Sequence, residues 1–165
     1  MTEILDHLLR GGDLAEKEAA DLVPALVGPG TDPALAGALL AALRAKGETA
    51  AELRGFVRAM RRMGTKVRLD AGGAVDLTGT GGDRSGSLNL STGSAILAAA
   101  CGLRVIKHGN RAVSSRSGSA DVLEALGMAL PDGEAQAREG LARTGFTFLF
   151  APTFHPAMKA LAPVR

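Results

Sequence analysis

Residues 74–106 read AVDLTGTGGDRSGSLNLSTGSAILAAACGLRVI, and this stretch sets the fold class. Residues 74–77 are a short strand candidate that runs into glycines, and residues 91–101 are an alanine-rich helix that ends at Gly102. Residues 103–106 predict a second strand. A strand, a helix and a strand at this spacing form a βαβ unit, whose strands lie parallel in one sheet. The stretch therefore predicts an α/β fold.

The alternation continues to the end of the chain. After a polar loop at 107–118, the pattern predicts helices at 120–126 and 134–143, a strand at 146–150 and a helix that begins at His155. An open parallel sheet of three strands is hard to close, so its partner strands must come from another chain or from a longer protein. We favour the second alternative and expect a truncated α/β domain.

The chain begins differently, because residues 1–68 predict only helices. Apolar residues recur there at helical spacing, and glycine-rich turns separate the segments. Spacing predicts caps at three helix starts: Asp13 with Glu16, Asp32 with Pro33, and Thr49 with Glu52. The inward face of the fourth segment is predicted to hold Leu53, Phe56, Val57 and Met60. A small helical bundle should therefore precede the α/β part.

Composition excludes several classes of protein. Of the 165 residues 46% are apolar and 22% charged, and the net charge is +2, which argues against disorder. No uncharged apolar run reaches the roughly 18 residues of a membrane span, and the acidic, amphipathic N-terminus is not a secretion signal. The single cysteine, Cys101, rules out a disulfide framework and favours a reducing, cytoplasmic location.

The first candidate site is the glycine-rich loop at 77–83, which follows a predicted strand. Glycines at this place let backbone N–H groups approach a ligand, and the N-terminus of the next helix favours an anion. A dinucleotide fingerprint needs glycine where Arg84 stands, and a P-loop needs lysine where Ser87 stands, so the loop is neither. An ordinary turn with a helix cap explains it equally well. Three further donors stand at the helix start: Asn89, Ser91 and Thr92.

The second candidate site is KHGNRAVSSRSGS, residues 107–119. Residues 104–116 carry four fixed positive charges and no acidic residue. Lysine offers phosphate a point charge, arginine a planar fork, and hydroxyl and N–H groups fill the remaining lone pairs. Two such loops at the same end of adjacent parallel strands face one crevice. Either loop alone could be a solvated connection, but together they favour a multiply phosphorylated ligand.

Two weaker features leave alternatives open. Residues 54–68 carry six positive charges and no acid, but basic residues late in a helix suit its dipole, so nucleic-acid binding is disfavoured. Asp121 and Glu124 share a helix face, which capping explains as well as metal binding would.

Several stretches together closely resemble the anthranilate phosphoribosyltransferase family. They are GTGGD at 79–83, NLST at 89–92, KHGNRAVSS at 107–115 and SGSADVLEALG at 117–127, with KGET at 46–49 and FLFA and FHPAM within 148–158. The match runs in order over nearly the whole chain. Residues 107–127 are highly specific, whereas GTGGD alone is shared with pyrimidine nucleoside phosphorylases of the same fold.

The resemblance implies an enzyme of tryptophan biosynthesis, a glycosyltransferase that moves phosphoribosyl from phosphoribosyl pyrophosphate to anthranilate and releases pyrophosphate. It also implies a Mg²⁺ requirement and a homodimer formed through the helical part. The implied domains are a helical domain at 1–68, an incomplete α/β domain that binds phosphoribosyl pyrophosphate at 72–152, and a helix from 153–165 that returns to the helical domain.

The resemblance also implies site residues by position. The phosphoribosyl pyrophosphate pocket would be lined by Gly79, Gly82, Asp83, Ser87, Asn89, Ser91, Thr92, Lys107, Asn110, Arg111, Ser115 and Ser119. Ser91 would also hold one Mg²⁺. Anthranilate would be approached by Gly79, Asn110 and Arg165, the last pairing with its carboxylate. The chemistry needs no strong side-chain nucleophile, and we assign no catalytic residue.

Two departures from the family bear on these expectations. Arg84 stands where the family usually has glycine, so the loop would sit differently or gain a phosphate contact. The family's Asp-Glu pair for Mg²⁺ lies beyond residue 165, so we expect this chain alone to be inactive. Two alternatives stay open: a pyrimidine nucleoside phosphorylase, and a non-catalytic relative that binds nucleic acid through residues 54–68.

Overall fold

The structure is a computed structural model that describes residues 1–79, 88–112, 117–161 and 164. These residues form two compact units, Met1–Gly64 with His155–Arg165 and Thr65–Phe154. In chain order the elements are α1 (Thr2–Leu9), α2 (Glu16–Val27), α3 (Pro33–Lys46), α4 (Ala50–Met63), α5 (Leu90–Ala100), β1 (Val105–Gly109), α6 (Ser119–Ala125), α7 (Glu134–Thr144), β2 (Phe146–Phe150), α8 (Ala151–Phe154) and α9 (Pro156–Ala160). In the part of the chain so described, no helix is long and apolar enough to cross a membrane.

Helix capping in the first unit follows the predicted pattern at two of three starts. The Asp32 carboxylate accepts from the Ala34 N–H at 2.8 Å, with Pro33 at the first helical position. Thr49 and Glu52 form the predicted capping box, in which the Thr49 N–H donates to the Glu52 carboxylate at 2.7 Å. Both predictions are confirmed.

The predicted cap of Asp13 with Glu16 is wrong. Helix α2 begins at Glu16 itself, with Ala15 as its N-cap. The Ala15 N–H donates to the Glu18 carboxylate at 2.7 Å, so the reciprocal bond lies two residues later than predicted. Asp13 instead accepts from the Lys46 ammonium at 2.7 Å, a partner too distant in sequence for local spacing to indicate.

The inward face of α4 also differs from the prediction, because Leu53 and Val57 are 50% and 52% exposed. The buried residues are Glu52, Gly55 and Ala59, while Phe56 and Met60 are partly buried as predicted. A Cβ at position 55 would lie 2.3 Å from the Glu16 carbonyl oxygen. Helices α2 and α4 therefore approach closely through their smallest side chains rather than their largest.

A buried carboxylate joins the loops of the first unit. The Glu52 side chain is fully buried and accepts from the Leu14 N–H at 2.9 Å and from the Lys46 ammonium at 3.0 Å. Burial alone would raise the pKa of Glu52, but the N–H groups of Leu14 and Thr49 and the ammonium outweigh it and lower the pKa to about 2. This network connects residues on either side of α2 and α3.

The second unit holds the parallel sheet. Strands β1 and β2 pair in parallel, from Val105 opposite Phe146 to Gly109 opposite Phe150. Val75 forms a parallel bridge to Val105, so β1 lies between the segment around Val75 and β2. The predicted fold class, a helical part followed by the start of a parallel-sheet α/β domain, is confirmed.

Strand boundaries are predicted correctly for β2 but not for β1. Phe146–Phe150 has the predicted bounds, whereas the strand expected at 103–106 is Val105–Gly109. Lys107, His108 and Gly109 therefore belong to a strand and not to the predicted polar loop. They are drawn into the sheet because β1 pairs with β2 along its whole length. The helices pack on this sheet through a core of Ala95, Val105, Ala120, Leu123, Phe146 and Phe148.

Candidate functional site

The predicted site residues that the structure describes fall on three elements of the second unit and on the segment bridged at Val75. Asn89, Ser91 and Thr92 are at the start of α5; Lys107 is in β1, with Asn110 and Arg111 directly after it; Ser119 begins α6; and Gly79 follows the segment bridged at Val75. The other predicted site residues lie outside the described part of the chain; they are Gly82, Asp83, Ser87, Ser115 and Arg165. Arg84 lies outside it as well.

Lys107 of strand β1 is hydrogen-bonded to the first residue of the glycine-rich loop. The lysine is 2% exposed, and its ammonium donates to the Leu77 carbonyl oxygen at 2.6 Å. Burial lowers the pKa of Lys107 below its ordinary value, while the nearby charge of Asp76 acts in the opposite direction. The start of the glycine-rich loop at Leu77 is therefore bonded to the middle residue of β1.

The start of α5 lies against the same loop. A Cβ built at Gly79 would be 3.3 Å from the Ser91 hydroxyl oxygen, so this serine stands beside the loop backbone. The Asn89 carbonyl accepts from the Thr92 and Gly93 N–H groups, both at 3.0 Å, which begins the helix. Thr92 is 1% exposed, and its hydroxyl has no hydrogen-bond partner among the described residues. The Ser91 hydroxyl, in the first turn of α5, thus lies beside Gly79.

The end of β1 is fastened to the start of α6. The Ser119 hydroxyl and the Ala120 N–H each donate to the Asn110 carbonyl oxygen at 3.1 Å. A Cβ at Gly109 would lie 2.2 Å from the Ser119 hydroxyl and 3.0 Å from the Phe148 ring, so glycine leaves the space that the hydroxyl occupies. These contacts bring Asn110 and Ser119 together, as the prediction of one pocket requires.

Arg111 is not an isolated cation. Its guanidinium donates to both carboxylate oxygens of Glu124, one at 2.7 Å, lies 3.5 Å from the Asp121 carboxylate, and sits 5.4 Å over the Phe150 ring. The hydrogen bond to Glu124 raises the pKa of Arg111. Because α6 brings two carboxylates to this side chain, its charge is partly neutralised.

The predicted cluster of unopposed positive charges therefore needs correction. Arg104 precedes β1 and pairs with Asp70 at 2.7 Å, at the opposite end of the strand from Asn110. Lys107 is engaged with a backbone carbonyl and Arg111 with acids from α6. The count of charges along 104–116 is correct, but three of those four cations have partners that come from outside the segment.

Two acidic residues beside the site, Asp76 and Asp121, accept hydrogen bonds from backbone N–H groups of the second candidate stretch. The Asp76 carboxylate accepts from the His108 N–H at 3.3 Å, next to Lys107. The Asp121 carboxylate accepts from the Gly118 N–H at 2.7 Å and from the Ala112 N–H at 2.9 Å. These bonds lower the pKa of Asp121. Capping-box spacing signals the bond to Gly118, but no local pattern signals the bond to Ala112, nine residues away.

Comparison with known proteins identifies the family. Residues 71–165 match the α/β domain of a glycosyl transferase family, and residues 2–64 match the helical bundle domain of the same family. The chain belongs to this glycosyl transferase family. The family's division into a helical bundle and an α/β domain agrees with the elements described above.

Two of the relatives within this glycosyl transferase family are anthranilate phosphoribosyltransferases. An anthranilate phosphoribosyltransferase from Aeropyrum pernix is 48% identical over 164 residues, which are 98% of this chain and 47% of that protein. The crystal structure of anthranilate phosphoribosyltransferase from Thermus thermophilus is 45% identical and superimposes with a TM-score of 0.84, over 98% of this chain and 49% of that one. The predicted resemblance is confirmed.

A second solved structure of the glycosyl transferase family has a bound ligand. It is anthranilate phosphoribosyltransferase from Saccharomyces cerevisiae in complex with PRPP and Mg, 27% identical, with a TM-score of 0.85 over 99% of this chain and 50% of that one. The chain spans about half the length of the curated relatives it matches.

Proposed function

We propose that this chain carries the phosphoribosyl-pyrophosphate-binding part of an anthranilate phosphoribosyltransferase. The reaction transfers phosphoribosyl to the amine of anthranilate and gives N-(5-phosphoribosyl)anthranilate and pyrophosphate, a step of tryptophan biosynthesis. The observation that carries the proposal is the hydrogen bond from Lys107 to the Leu77 carbonyl, because it joins the strand that leads into the second candidate loop to the first residue of the glycine-rich loop. Family membership and the names of the relatives support the same substrate.

The chemistry suits the groups found there. Cleavage of the anomeric bond builds positive charge on the ribose while negative charge grows on the departing pyrophosphate. The protein must therefore hold the two substrates in line and stabilise the leaving group with cations and N–H donors. The N-terminus of α5, the Ser91 hydroxyl, Lys107 of β1 and Arg111 are groups of this kind. A side-chain nucleophile is not needed, so we assign none.

The proposed binding residues are those of the sequence stretches that resemble the family. For phosphoribosyl pyrophosphate they are Gly79, Gly82, Asp83, Ser87, Asn89, Ser91, Thr92, Lys107, Asn110, Arg111, Ser115 and Ser119. For anthranilate they are Gly79, Asn110 and Arg165. The proximity of Gly79 to Ser91 and of Asn110 to Ser119 supports the assignment of those four residues.

Magnesium is the cofactor that the family resemblance implies. The Ser91 hydroxyl is an oxygen donor beside Gly79, and a hydroxyl oxygen is a ligand that Mg²⁺ accepts. Residues 1–79, 88–112, 117–161 and 164 contain no group of three or more His, Cys, Asp or Glu that could hold a metal ion. Ser91 fits as one oxygen ligand of an ion that substrate phosphates would also hold, and the ion would offset the charge of the leaving pyrophosphate.

The wider assignments are also proposals. We infer a homodimer formed through the helical part from the family resemblance, and a cytoplasmic location from the single cysteine, which favours a reducing compartment. The domain boundaries at 1–68, 72–152 and 153–165 stay a prediction.

Titration tests the binding part of this proposal. We expect the 165-residue chain to bind phosphoribosyl pyrophosphate in the presence of MgCl₂, measured by calorimetry, more tightly than it binds ribose 5-phosphate. The difference should arise because pyrophosphate contacts the N-terminus of α5. Equal, negligible binding of both ligands would contradict the proposal.

Turnover is the second measurement. Loss of anthranilate fluorescence reports transfer, and the absence of tryptophan and tyrosine from the chain removes interfering emission. We expect no turnover by this chain alone, because the resemblance assigns two magnesium carboxylates to positions beyond residue 165. Turnover dependent on Mg²⁺ would overturn that expectation while supporting the reaction.

The two alternatives have their own outcomes in the same assays. Phosphorolysis of uridine or thymidine with release of free base would favour a pyrimidine nucleoside phosphorylase. Salt-sensitive binding of DNA or RNA without binding of phosphoribosyl pyrophosphate would favour a nucleic-acid-binding relative. The structure weakens the second alternative, because Arg54 and Arg58 in the basic stretch both pair with Glu16.

A further inference from the structure

Asp121 makes one hydrogen bond more than its place in the helix requires. As the third residue of α6 it caps the helix, accepting from the N–H of Gly118, the N-cap residue, at 2.7 Å. The same carboxylate oxygen accepts from the Ala112 N–H at 2.9 Å. A capping box needs only the first of these bonds. The second joins the helix to a residue just beyond the end of β1.

Ala112 directly follows two residues of the proposed pocket, Asn110 and Arg111. The Asn110 carbonyl is bonded to the Ser119 hydroxyl, and the Arg111 guanidinium to the Glu124 carboxylate. Three successive residues, 110–112, are thus each bonded to α6. The bond to Asp121 holds the backbone N–H of Ala112, the residue after Arg111. It therefore restricts the backbone conformation of residues 110–112.

Asp121 is poorly suited to contact the ligand itself. An aspartate carboxylate is ordinarily ionised at neutral pH, and the Ala112 and Gly118 N–H groups lower the pKa of Asp121 further. A carboxylate repels a pyrophosphate, and this one already accepts two backbone N–H groups and lies 3.5 Å from Arg111. The spacing of Asp121 and Glu124 left metal binding open as an alternative. These bonds instead favour a structural role for Asp121.

We propose that Asp121 is a positioning residue that places Asn110 and Arg111 for binding of phosphoribosyl pyrophosphate by holding the Ala112 N–H against α6. The inference rests on the proposed function of this site. A positioning residue acts through others, so its loss should weaken ligand binding beyond any loss of stability.

Asp121→Ala and Asp121→Asn in the 165-residue chain test the proposal. Asparagine keeps an oxygen that can accept both N–H groups, whereas alanine keeps none. Glu139→Gln is the matched control, because it removes an exposed carboxylate that pairs with Arg143 on its own helix. For each variant the amide exchange rates, the denaturation midpoint and the affinity for phosphoribosyl pyrophosphate with MgCl₂ are measured.

We expect D121A to raise the amide exchange rate of Ala112 and to weaken ligand binding by about tenfold or more, as loss of a bond to a charged group would. D121N should retain an affinity within about threefold of the unchanged chain, because the geometry is kept. The Glu139→Gln variant should match the unchanged chain in both measurements.

Different outcomes overturn different statements. If the unchanged chain does not bind phosphoribosyl pyrophosphate, the proposed function falls and this inference with it. If the unchanged chain binds and D121A binds equally well although Ala112 exchanges faster, only the inference falls. If D121A does not fold, D121N decides: a loss of affinity of tenfold or more at an unchanged denaturation midpoint would show a direct role of the charge and overturn positioning.

Discussion

The Lys107 ammonium donates to the Leu77 carbonyl oxygen at 2.6 Å, and this lysine of strand β1 is 2% exposed. A charge at such a position costs desolvation energy, which is why the pKa of Lys107 is lowered. The bond satisfies the carbonyl of the residue that begins the glycine-rich loop. Lys107 therefore has a structural role besides the phosphate-binding role that we propose for it.

Replacement of this lysine should change how stability depends on pH. Because the folded-state pKa of Lys107 lies below its ordinary value, the unfolded chain binds more protons between the two, and stability rises with pH there. We expect the free energy of unfolding of the unchanged chain, relative to Lys107→Met, to increase as the pH rises through the folded-state pKa toward the ordinary value of 10.5. Denaturant titration at a series of pH values from neutral pH upward measures it.

The control for this prediction is Lys17→Met, at an exposed residue of α2 that pairs with Asp21. The pKa of Lys17 is raised by that pair, so relative to this variant the unchanged chain should not gain stability as the pH rises. An identical pH dependence for the two lysine variants would contradict the prediction.

Glu52 should contribute stability that disappears in acid. Its pKa is about 2 in the folded chain against an ordinary 4.5, so the contribution is present above pH 4.5 and is lost as the pH falls toward 2. Glu52→Gln should lower the free energy of unfolding at pH 7 by about 3 kcal/mol, because it removes one partner of a buried pair. Denaturation at pH 7 and pH 3 measures both effects.

Glu48→Gln is the matched control, since Glu48 pairs with Arg44 at 3.6 Å and that arginine is exposed. We expect this variant to match the unchanged chain at pH 7. A Glu52→Gln variant equally stable at pH 7 would show that the buried network is dispensable.

Two helical glycines should respond oppositely to alanine. A Cβ at Gly55 would lie 2.3 Å from the Glu16 carbonyl oxygen, so Gly55→Ala must push α4 away from α2 and should cost about 1–3 kcal/mol. Gly37 in α3 has nothing within 4 Å of such a Cβ, so Gly37→Ala should stabilise by about 0.5–1 kcal/mol. Denaturation of both variants checks this, and stabilisation by both would refute the close approach of the helices.

Arg111→Ala should weaken binding of phosphoribosyl pyrophosphate by about tenfold or more, because the variant loses both a cation and a planar donor pair. Arg143→Ala removes an exposed arginine that pairs with Glu139, and it should leave binding unchanged. Calorimetric titration with MgCl₂ compares the two. Equal affinity of the two variants would remove Arg111 from the binding site.

Local features of the structure were predictable from local sequence. Residues 146–150 alternate in character and form β2 with the predicted bounds, and the Thr49–Glu52 box needs only a spacing of three residues. The start of β1 was not predictable in this way, because its pairing with the segment at Val75 and with β2 decides where it begins. The same limit explains the cap assigned to Asp13, whose partner is 33 residues away.

In the candidate site, too, local features could be predicted and distant contacts could not. Its location at the ends of parallel strands could be predicted from the βαβ order, and Lys107 and Arg111 were named from their chemistry. The partners of those cations were not predictable, since the Leu77 carbonyl is 30 residues away and Glu124 is 13 residues away. Sequence therefore predicts which groups are present, whereas packing determines how much of their charge is available.

Gly109 offers a criterion for classifying related sequences. The space of a single methyl group at this position is already taken by the Ser119 hydroxyl and the Phe148 ring. A chain that kept every cation of the stretch but had alanine here would have to turn the Ser119 hydroxyl away or shift α6, and either change breaks the hydrogen bond from Ser119 to Asn110. In a survey of genomes, the residue at this position should therefore separate chains that keep this pocket from chains that keep only its charges.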